Sequence, residues 1–388
     1  MRQAHPLVIW MQRSSPGVGG ALLGVLVREG FERLVSVPVA FVHKEKDLLG
    51  VVHGDDLVWE GRDRDLDWVL RVLKGKYDLK DRGRLGPGPN DVRRVEMLGR
   101  IIEYGKEGIT WSGDPRHLKL LENHFGMNEQ TKVLSRNGYE EDDKNDDEEE
   151  EDMSKAEVKT YRMLAARLNY MAQDHAWLQF PAKEVCRRTA RPRAVDFEKI
   201  KRIVRFLKGV GVVRLHYRWQ EEEQAQRVTV FVDSDWAGCR ATRKSTSGGV
   251  MKVGDHVVKT WSRTQPTIAT SSGEAELIAM QEGATRGMGM QTVMEEIGLA
   301  PRLEMIRVYT DSAAAKSFVA TRGLGKMRHV EVKLLWMQEA VRRGRLVVGK
   351  VLGAANVADS LTKYHNVGKL AELWGPHGIE MQGERKPA

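Results

Sequence analysis

The stretch Arg227–Ala237, RVTVFVDSDWA, places an aspartate at the end of an alternating apolar segment. β-Branched and aromatic residues alternate up to Asp233, which predicts a β-strand that delivers a carboxylate at its C-terminal end. Asp235 lies two residues further on, so a continuing strand would direct it to the same face. Asp233 directly follows the alternation and is the first candidate for a functional carboxylate, with Asp235 as the second.

Three later segments carry carboxylates that could meet Asp233. TSSGEAELIAM contains Glu276, RVYTDSAAAKSF contains Asp311, and GAANVADSLTK contains Asp359. Four acidic groups at one point repel one another unless cations lie between them. The simplest chemistry for such a group is a two-metal site.

The order Asp, Glu, Asp, Asp on strand end, helix, strand end and helix resembles the ribonuclease H fold. The motifs DSDWAGC, RKSTSGG, TWSRTQPTIATSSGEAEL, VYTDSAAA, RHVEVK and NVADSLTK are similar to copia-type LTR retrotransposon Pol polyproteins, over roughly residues 228–365. Upstream, VVHGDDLVWEG resembles the reverse transcriptase of the same polyproteins. The resemblance implies an α/β (α+β) chain with a ribonuclease H-like mixed five-stranded sheet and helices, preceded by a partial reverse-transcriptase palm and a helical connection.

Five segments are expected along the chain. They are a partial palm with a thumb-like continuation (1–135), an acidic disordered linker (136–154), a helical connection (155–220), a ribonuclease H domain (226–366) and a C-terminal tail (367–388). The linker is predicted because an acidic run cannot bury enough apolar surface to become ordered. The connection is predicted from apolar residues three and four apart with basic residues between them.

Charge and cysteine content narrow the class of protein. The 388 residues carry a formal net charge of +8. The run Glu140–Asp152 alone has a net charge of −10, so the remaining residues carry +18, which suits a polyanionic partner such as nucleic acid. Two cysteines, Cys186 and Cys239, offer neither a metal-binding spacing nor a disulfide framework. We expect an intracellular protein, in a cytoplasmic particle or the nucleus and not secreted, without a signal peptide or membrane segment.

The resemblance also implies a chemistry for the four carboxylates. Asp233 would bridge two Mg²⁺ ions, Glu276 and Asp311 would complete one of them, and Asp359 the other. Mn²⁺ should substitute, because the ligands are all oxygens. The expected reaction is metal-assisted hydrolysis of the RNA strand of an RNA–DNA hybrid.

Structural alternatives compete for several of these residues. Ser271 and Glu274 form an S-x-x-E capping box, which leaves Glu276 about 200° around the helix and free to face the sheet. Asp311 and Asp359 each precede or begin a predicted helix, where an aspartate commonly acts as an N-cap.

Selectivity for RNA is expected from contacts with 2′-hydroxyl groups and hybrid shape. The candidate substrate-binding residues are named from family position or basic character: Arg243, Lys244, Trp261, Ser271, Ser272, Arg328 and His329. Many relatives have a histidine shortly before the last aspartate. This chain has none between His329 and Asp359, so His329 is at most a substitute.

The first half contains a second acidic pair, Asp55 and Asp56, between two apolar strands. In the family this turn contributes carboxylates to the polymerase metals, and here it is followed by a predicted helix over Asp63–Lys74. The resemblance is incomplete, because His53-Gly54 replaces the usual residues before the pair and the third polymerase carboxylate belongs to an earlier motif that is absent.

Four functions are compatible with these observations. The first is a hybrid-specific endoribonuclease that works within a Pol polyprotein, whose partners are an RNA–DNA hybrid and the rest of that polyprotein, with no membrane. The second is a catalytically silent nucleic-acid-binding remnant. The third is an RNA-directed DNA polymerase, completed by the missing N-terminal part. The fourth is an integrase, which the lack of a zinc-binding His/Cys segment disfavours.

Overall fold

The computed structural model describes residues 7–13, 19–138, 153–299, 304–323 and 332–381. These residues belong to two compact units, Met1–Trp111 with Met288–Leu303, and Ser112–Gly287 with Glu304–Ala388. No helix among the described residues combines the length and apolarity that a bilayer crossing requires. Most of the predicted acidic linker, 139–152, lies outside the described residues.

The first unit is built on strands that surround the predicted hairpin. Its elements are β1 (Leu7–Arg13), α1 (Gly19–Arg28), β2 (Glu32–Arg33), β3 (Ala40–His43), β4 (Leu48–His53), β5 (Asp56–Gly61), α2 (Asp63–Lys74), β6 (Leu79–Leu85), β7 (Arg94–Met97), β8 (Arg100–Tyr104) and β9 (Gly108–Ser112). Six of the strands form one sheet in the order β2-β3-β4-β5-β1-β6.

Helix α2 has the bounds that its sequence pattern predicts, Asp63–Lys74. Its apolar residues Leu66, Val69 and Leu73 recur at helical spacing and are all 0% exposed, so one face packs into the core of this unit. Strands β8 and β9 form a pair around the turn Gly105–Gly108.

The second unit contains the remaining elements. Its helices are α3 (Pro115–His124), α4 (Lys155–Met171), α5 (Gln179–Cys186), α6 (Ala194–Val210), α7 (Glu222–Ala225), the part of α8 (Ser272–Glu296) up to Gly287, α9 (Ala313–Ala320), α10 (Val332–Arg342) and α11 (Val367–Trp374). Its strands are β10 (Val213–Arg218), β11 (Val228–Ser234), β12 (Thr246–Val253), β13 (His256–Thr264), β14 (Ile306–Thr310), β15 (Leu346–Lys350) and β16 (Ile379–Met381).

A mixed five-stranded sheet forms the centre of this unit, in the order β13-β12-β11-β14-β15. Strands β11, β12 and β13 are antiparallel neighbours, whereas β14 and β15 run parallel to β11. Strand β11 is therefore central, and its residues Val230 and Val232 are fully buried. This architecture confirms the predicted ribonuclease H-like α/β fold.

Helix α8 packs closely on one face of the sheet because it carries glycine there. A Cβ atom at Gly283 would lie 2.6 Å from Cγ1 of Val232, so a larger residue would push the helix away. The opposite face is covered by α5, α11 and a 3₁₀ helix over Val357–Leu361, which share one apolar core with Val250.

The ends of two predicted segments are more ordered than their composition indicated. Asn137, placed in the linker, is fully buried and accepts a hydrogen bond of 2.8 Å from the His365 amide. The stretch 367–388, interpreted as a tail, contains α11 and β16, and β16 pairs with β10. Acidity begins only at Glu140, and Leu370 and Trp374 are fully buried, so burial outweighs position in the chain at both places.

Candidate metal centre

Three of the predicted carboxylates lie together. One ligand oxygen from each of Asp233, Glu276 and Asp311 falls within 4.8 Å of the others. Asp233 is 1% exposed and Glu276 is 8% exposed, while Asp311 is half-buried. The cluster thus has two buried members and one that faces solvent, which leaves it open on one side.

The sheet register brings Asp233 and Asp311 to the same level. Strands β11 and β14 are parallel neighbours, and Phe231 lies opposite Tyr309. Each aspartate follows two residues later on its own strand, so both emerge at adjacent C-terminal strand ends. This edge is where parallel strands usually present functional residues.

Glu276 reaches the cluster from helix α8. Its Oε1 accepts hydrogen bonds from the amide of Ser234 at 3.1 Å and from its hydroxyl at 3.2 Å, and its Oε2 accepts one from Thr310 Oγ1 at 3.2 Å. Ser234 belongs to the strand that carries Asp233, and Thr310 directly precedes Asp311. The glutamate is therefore held by both strand ends at once.

Glu274 has the capping role that its position suggests. The Glu274 amide donates to Ser271 Oγ at 3.2 Å, while the Glu274 carboxylate accepts from the amide and hydroxyl of Thr270 at 2.6 and 2.7 Å. The box closes on Thr270, one residue earlier than the S-x-x-E pattern predicts. Two glutamates separated by one alanine thus serve two different purposes.

The aspartate beyond β14 is not a helix cap. Ser312 caps α9 by accepting the Ala315 amide at 3.2 Å, and Asn356 caps the 3₁₀ helix by accepting the Ala358 amide at 3.2 Å. The capping alternatives for Asp311 and Asp359 are therefore wrong in both cases, because a neighbouring polar residue fills each cap.

Burial and mutual repulsion shift the ionisation of the cluster. Burial, together with the nearby Glu276 carboxylate, raises the pKa of Asp233 to about 8. Burial and the Asp311 carboxylate raise the pKa of Glu276 to about 7. Without a bound cation, Asp233 and Glu276 therefore keep their protons to a higher pH than ordinary carboxyl groups do.

The fourth predicted carboxylate, Asp359, lies outside the three-residue cluster. It belongs to the 3₁₀ helix Val357–Leu361, where its Oδ1 accepts from Lys363 Nζ and its Oδ2 lies 2.8 Å from His365 Nε2. Burial acts to raise the pKa of Asp359, but its contacts with His365 and Lys363 outweigh that effect, so its pKa lies below the ordinary value.

Three neighbours of the site were not identified from the sequence. Thr362 donates a hydrogen bond to Asp233 Oδ2, Lys363 pairs with Asp359, and His365 lies six residues after the last aspartate. Burial acts to lower the pKa of Lys363, but the carboxylate of Asp233 and its pairing with Asp359 outweigh that effect and raise it. All three lie within the stretch NVADSLTKYH, and the histidine follows the aspartate, whereas many relatives have it before the aspartate.

The second-choice carboxylate, Asp235, is engaged elsewhere. Its Oδ1 accepts the amide of Thr246, and it is not part of the cluster found among the described residues. Nearby, Trp236 is 56% exposed and donates to the Ala269 carbonyl at 3.2 Å. This exposed ring, three residues after Asp233, is a further candidate for substrate contact that the sequence did not single out.

The predicted substrate-binding residues occupy different environments. Arg243 and Ser272 are exposed, Lys244 and Ser271 are half-buried, and Trp261 is 6% exposed beneath the guanidinium of Arg286 at 4.7 Å. Trp261 therefore forms part of the packing between sheet and helix. The last two candidates, Arg328 and His329, lie outside the described residues.

The polymerase pair lies in the first unit, at the turn between β4 and β5. Gly54 adopts φ +60° there, Asp55 follows it, and Asp56 opens β5. Among the described residues, no third acidic, histidine or cysteine side chain joins Asp55 and Asp56 in a metal-ligand group.

Comparisons with known proteins find several Pol polyproteins among the relatives. No family model matches the chain. An uncharacterized mitochondrial protein of Arabidopsis thaliana is 32% identical over 120 residues, which are 31% of this chain and 49% of that protein. The retrovirus-related Pol polyprotein from transposon TNT 1-94 of Nicotiana tabacum is 24% identical over 319 residues, which are 81% of this chain and 23% of the polyprotein. The chain thus spans about half the first relative and less than a quarter of the second.

A solved structure also resembles part of the chain. The ribonuclease H1 of the archaeon Halobacterium salinarum matches with 18% identity, covers 35% of this chain and 93% of its own, and has a TM-score of 0.24. A score this low supports no conclusion about activity. The sequence relatives nevertheless confirm the predicted similarity to Pol polyproteins of copia-type retrotransposons.

Proposed function

We propose that this chain is a fragment of a retrotransposon Pol polyprotein that hydrolyses the RNA strand of RNA–DNA hybrids with divalent metal ions. One observation carries the proposal: Asp233, Glu276 and Asp311 converge within 4.8 Å from two parallel strand ends and one helix. An acidic group on an edge of a sheet, in a chain whose remaining residues are strongly basic, fits cleavage of a polyanion.

The donor set fits magnesium. All three groups are carboxylates, the hard oxygen ligands that Mg²⁺ and Mn²⁺ prefer. The raised pKa values of Asp233 and Glu276 express a repulsion that a cation would relieve. Two such ions, when bound, would activate the attacking water and stabilise the leaving 3′ oxygen.

The protein's own groups would orient those ligands. Ser234 and Thr310 hold both oxygens of Glu276, and Thr362 donates to Asp233 Oδ2. Asp359 is the proposed fourth ligand, and it is now paired with Lys363 and His365. Lys363 would neutralise the charge of Asp359 until Asp359 binds a metal ion.

Recognition of the hybrid would depend on charge and shape. The +18 carried outside the acidic run suits phosphate contacts, which hold a duplex without reading its sequence. Contacts with 2′-hydroxyl groups would distinguish the RNA strand from the DNA strand.

Cleavage of a labelled RNA–DNA hybrid tests the proposal. We expect Mg²⁺ or Mn²⁺ to support cutting of the RNA strand only, and EDTA to abolish it. Asp233→Asn should lower the cleavage rate by at least about 10³-fold. Asp255→Asn, on the exposed β12–β13 turn, is the matched control and should cut as the parent does.

Two results would point elsewhere. A folded parent that retains the hybrid without cutting it would support a silent binding remnant. Primer extension by this chain would support the polymerase function instead, although Asp55 and Asp56 have no third metal ligand among the described residues.

A further inference from the structure

A groove of about 560 Å³ lies beside the central five-stranded sheet, between helices α4 and α5 and strand β13. Strand β13 is one of the two edge strands of that sheet. Three cations, Lys183, Arg187 and Arg263, line the groove together with amide, hydroxyl and apolar side chains, and no carboxylate is among its described lining residues.

The surroundings of the groove retain an excess of positive charge. Glu184 lies 2.7 Å from Lys183 and 3.0 Å from Arg187, so two cations share one carboxylate. Glu282 is likewise shared between Arg263, at 4.0 Å, and a second arginine on α8, at 2.7 Å. The Arg263 side chain is 72% exposed, so its guanidinium is accessible to a ligand.

Ser262, which lines the groove, lies on the same face of the sheet as Asp233, while its neighbour Arg263 projects to the opposite face, where it meets Glu282 of α8. Asp233 pairs with Gly248 across β11 and β12, and Gly248 pairs with Ser262 across β12 and β13. Residues directly opposite in antiparallel strands point to one face, and two strand spacings separate Asp233 from Ser262 by about 10 Å. Lys183 Nζ also donates to Thr246 Oγ1 at 2.7 Å, which ties helix α5 to this edge.

We propose that this groove binds the phosphate backbone of the nucleic-acid duplex and sets its position over the carboxylate cluster. The inference rests on the proposed function and adds the surface on which the substrate lies. Arginine and lysine donors at a groove some 10 Å from the cluster suit a phosphate next to the scissile one or on the opposite strand. Lys183, Arg187 and Arg263 are thus positioning residues, since they act through substrate placement.

Binding measured without cleavage tests the groove. Fluorescence anisotropy of a labelled RNA–DNA hybrid is recorded over a salt series, in an Asp233→Asn background that does not cut. We expect Arg263→Gln to weaken binding about 3–10-fold near 0.1 M salt and to reduce the slope of log affinity against log salt by about 0.9, one phosphate contact. Arg263→Lys keeps the charge and should keep the slope. The double variant Lys183→Gln/Arg263→Gln should lose about twice as much slope.

Arg343→Gln is the matched control, because Arg343 follows α10 at the opposite edge of the sheet. Its side chain is 69% exposed and pairs with Glu339 at 2.7 Å, an environment close to that of Arg263. Equal effects of Arg263→Gln and Arg343→Gln on binding, or no effect of either, would overturn the proposal that the groove binds the duplex. The proposed nuclease function would be unaffected if the parent chain cuts the hybrid. A parent that neither binds nor cuts hybrid would overturn the proposed function and the groove with it.

Discussion

The turn at Asp55–Asp56 and the strand end at Asp233 both present an aspartate beside an apolar strand, yet their surroundings differ. Asp233 is 1% exposed and is met by Glu276 and Asp311, which come from 43 and 78 residues further along the chain. Asp55 and Asp56 do not belong to a metal-ligand group among the described residues. An acidic pair at a turn is local chemistry, whereas a metal centre needs carboxylates that the fold brings from far apart.

The largest effect expected from this contrast is a loss of cleavage activity. Glu276→Gln and Asp311→Asn should each lower the rate of hybrid cleavage by about 10²–10³-fold, because each removes a charged ligand of the proposed metal site. Asp55→Asn/Asp56→Asn should change it by less than about twofold. Rates from initial-velocity measurements on a labelled hybrid decide this, and a large loss in the double variant would join the two regions in one activity.

The second test concerns stability of the metal-free protein. Asp233 has a pKa near 3.9 when unfolded and about 8 when folded, so the folded state binds the proton more tightly. Below about pH 4 Asp233 is protonated in both the folded and the unfolded state and does not destabilise the fold. As the pH rises to about 8, the free energy of unfolding falls, because only the unfolded state ionises Asp233 without cost. Asp233→Asn should therefore raise the free energy of unfolding at pH 8 by about 1–3 kcal/mol and flatten this pH dependence.

Urea denaturation in EDTA at pH 5 and pH 8 measures that difference. Asp56→Asn is the comparison variant, because Asp56 is not part of the carboxylate cluster. Its free energy of unfolding should show no gain over the parent that depends on pH. Equal stability of Asp233→Asn and the parent at both pH values would contradict the proposed repulsion.

The third test is stabilisation by metal. Mg²⁺ at ten times its dissociation constant should add about 1.4 kcal/mol to the parent's free energy of unfolding, seen as a rise of a few degrees in Tm. Asp233→Asn should lose this rise, while Asp55→Asn/Asp56→Asn should keep it. Differential scanning fluorimetry with Mg²⁺, and then with Mn²⁺, measures the shift. A rise that survives Asp233→Asn would place the bound metal elsewhere.

The smallest effect is expected at Glu274, where the neighbouring glutamate provides the contrast. Glu274→Gln should cost about 0.5–1 kcal/mol of stability, since it weakens the capping contacts to Thr270 at the start of α8. Cleavage should fall by less than about threefold. Denaturation and cleavage of the same preparation measure both quantities, and a cleavage loss as large as that of Glu276→Gln would show that the two glutamates had been assigned the wrong way round.

Local patterns predicted most of the elements. Alternation predicted β11, apolar segments around the acidic turn predicted the hairpin strands of the first unit, and the helix over Asp63–Lys74 was predicted to the residue. Such patterns depend only on neighbours within a few residues, so they are readable from the chain. The ends of segments were less predictable, since Asn137 and Trp374 become ordered through burial against distant residues.

The sequence alone determined that four carboxylates lie in motifs similar to those of a known polyprotein, and that the chain outside the acidic run is strongly basic. Only the tertiary structure decided which of them converge. The parallel register of β11 and β14 brings Asp233 level with Asp311, and helix α8 delivers Glu276, while Asp359 lies outside the cluster, beside Lys363 and His365. These distances depend on strand pairing and packing between residues tens to more than a hundred positions apart, which no local pattern specifies.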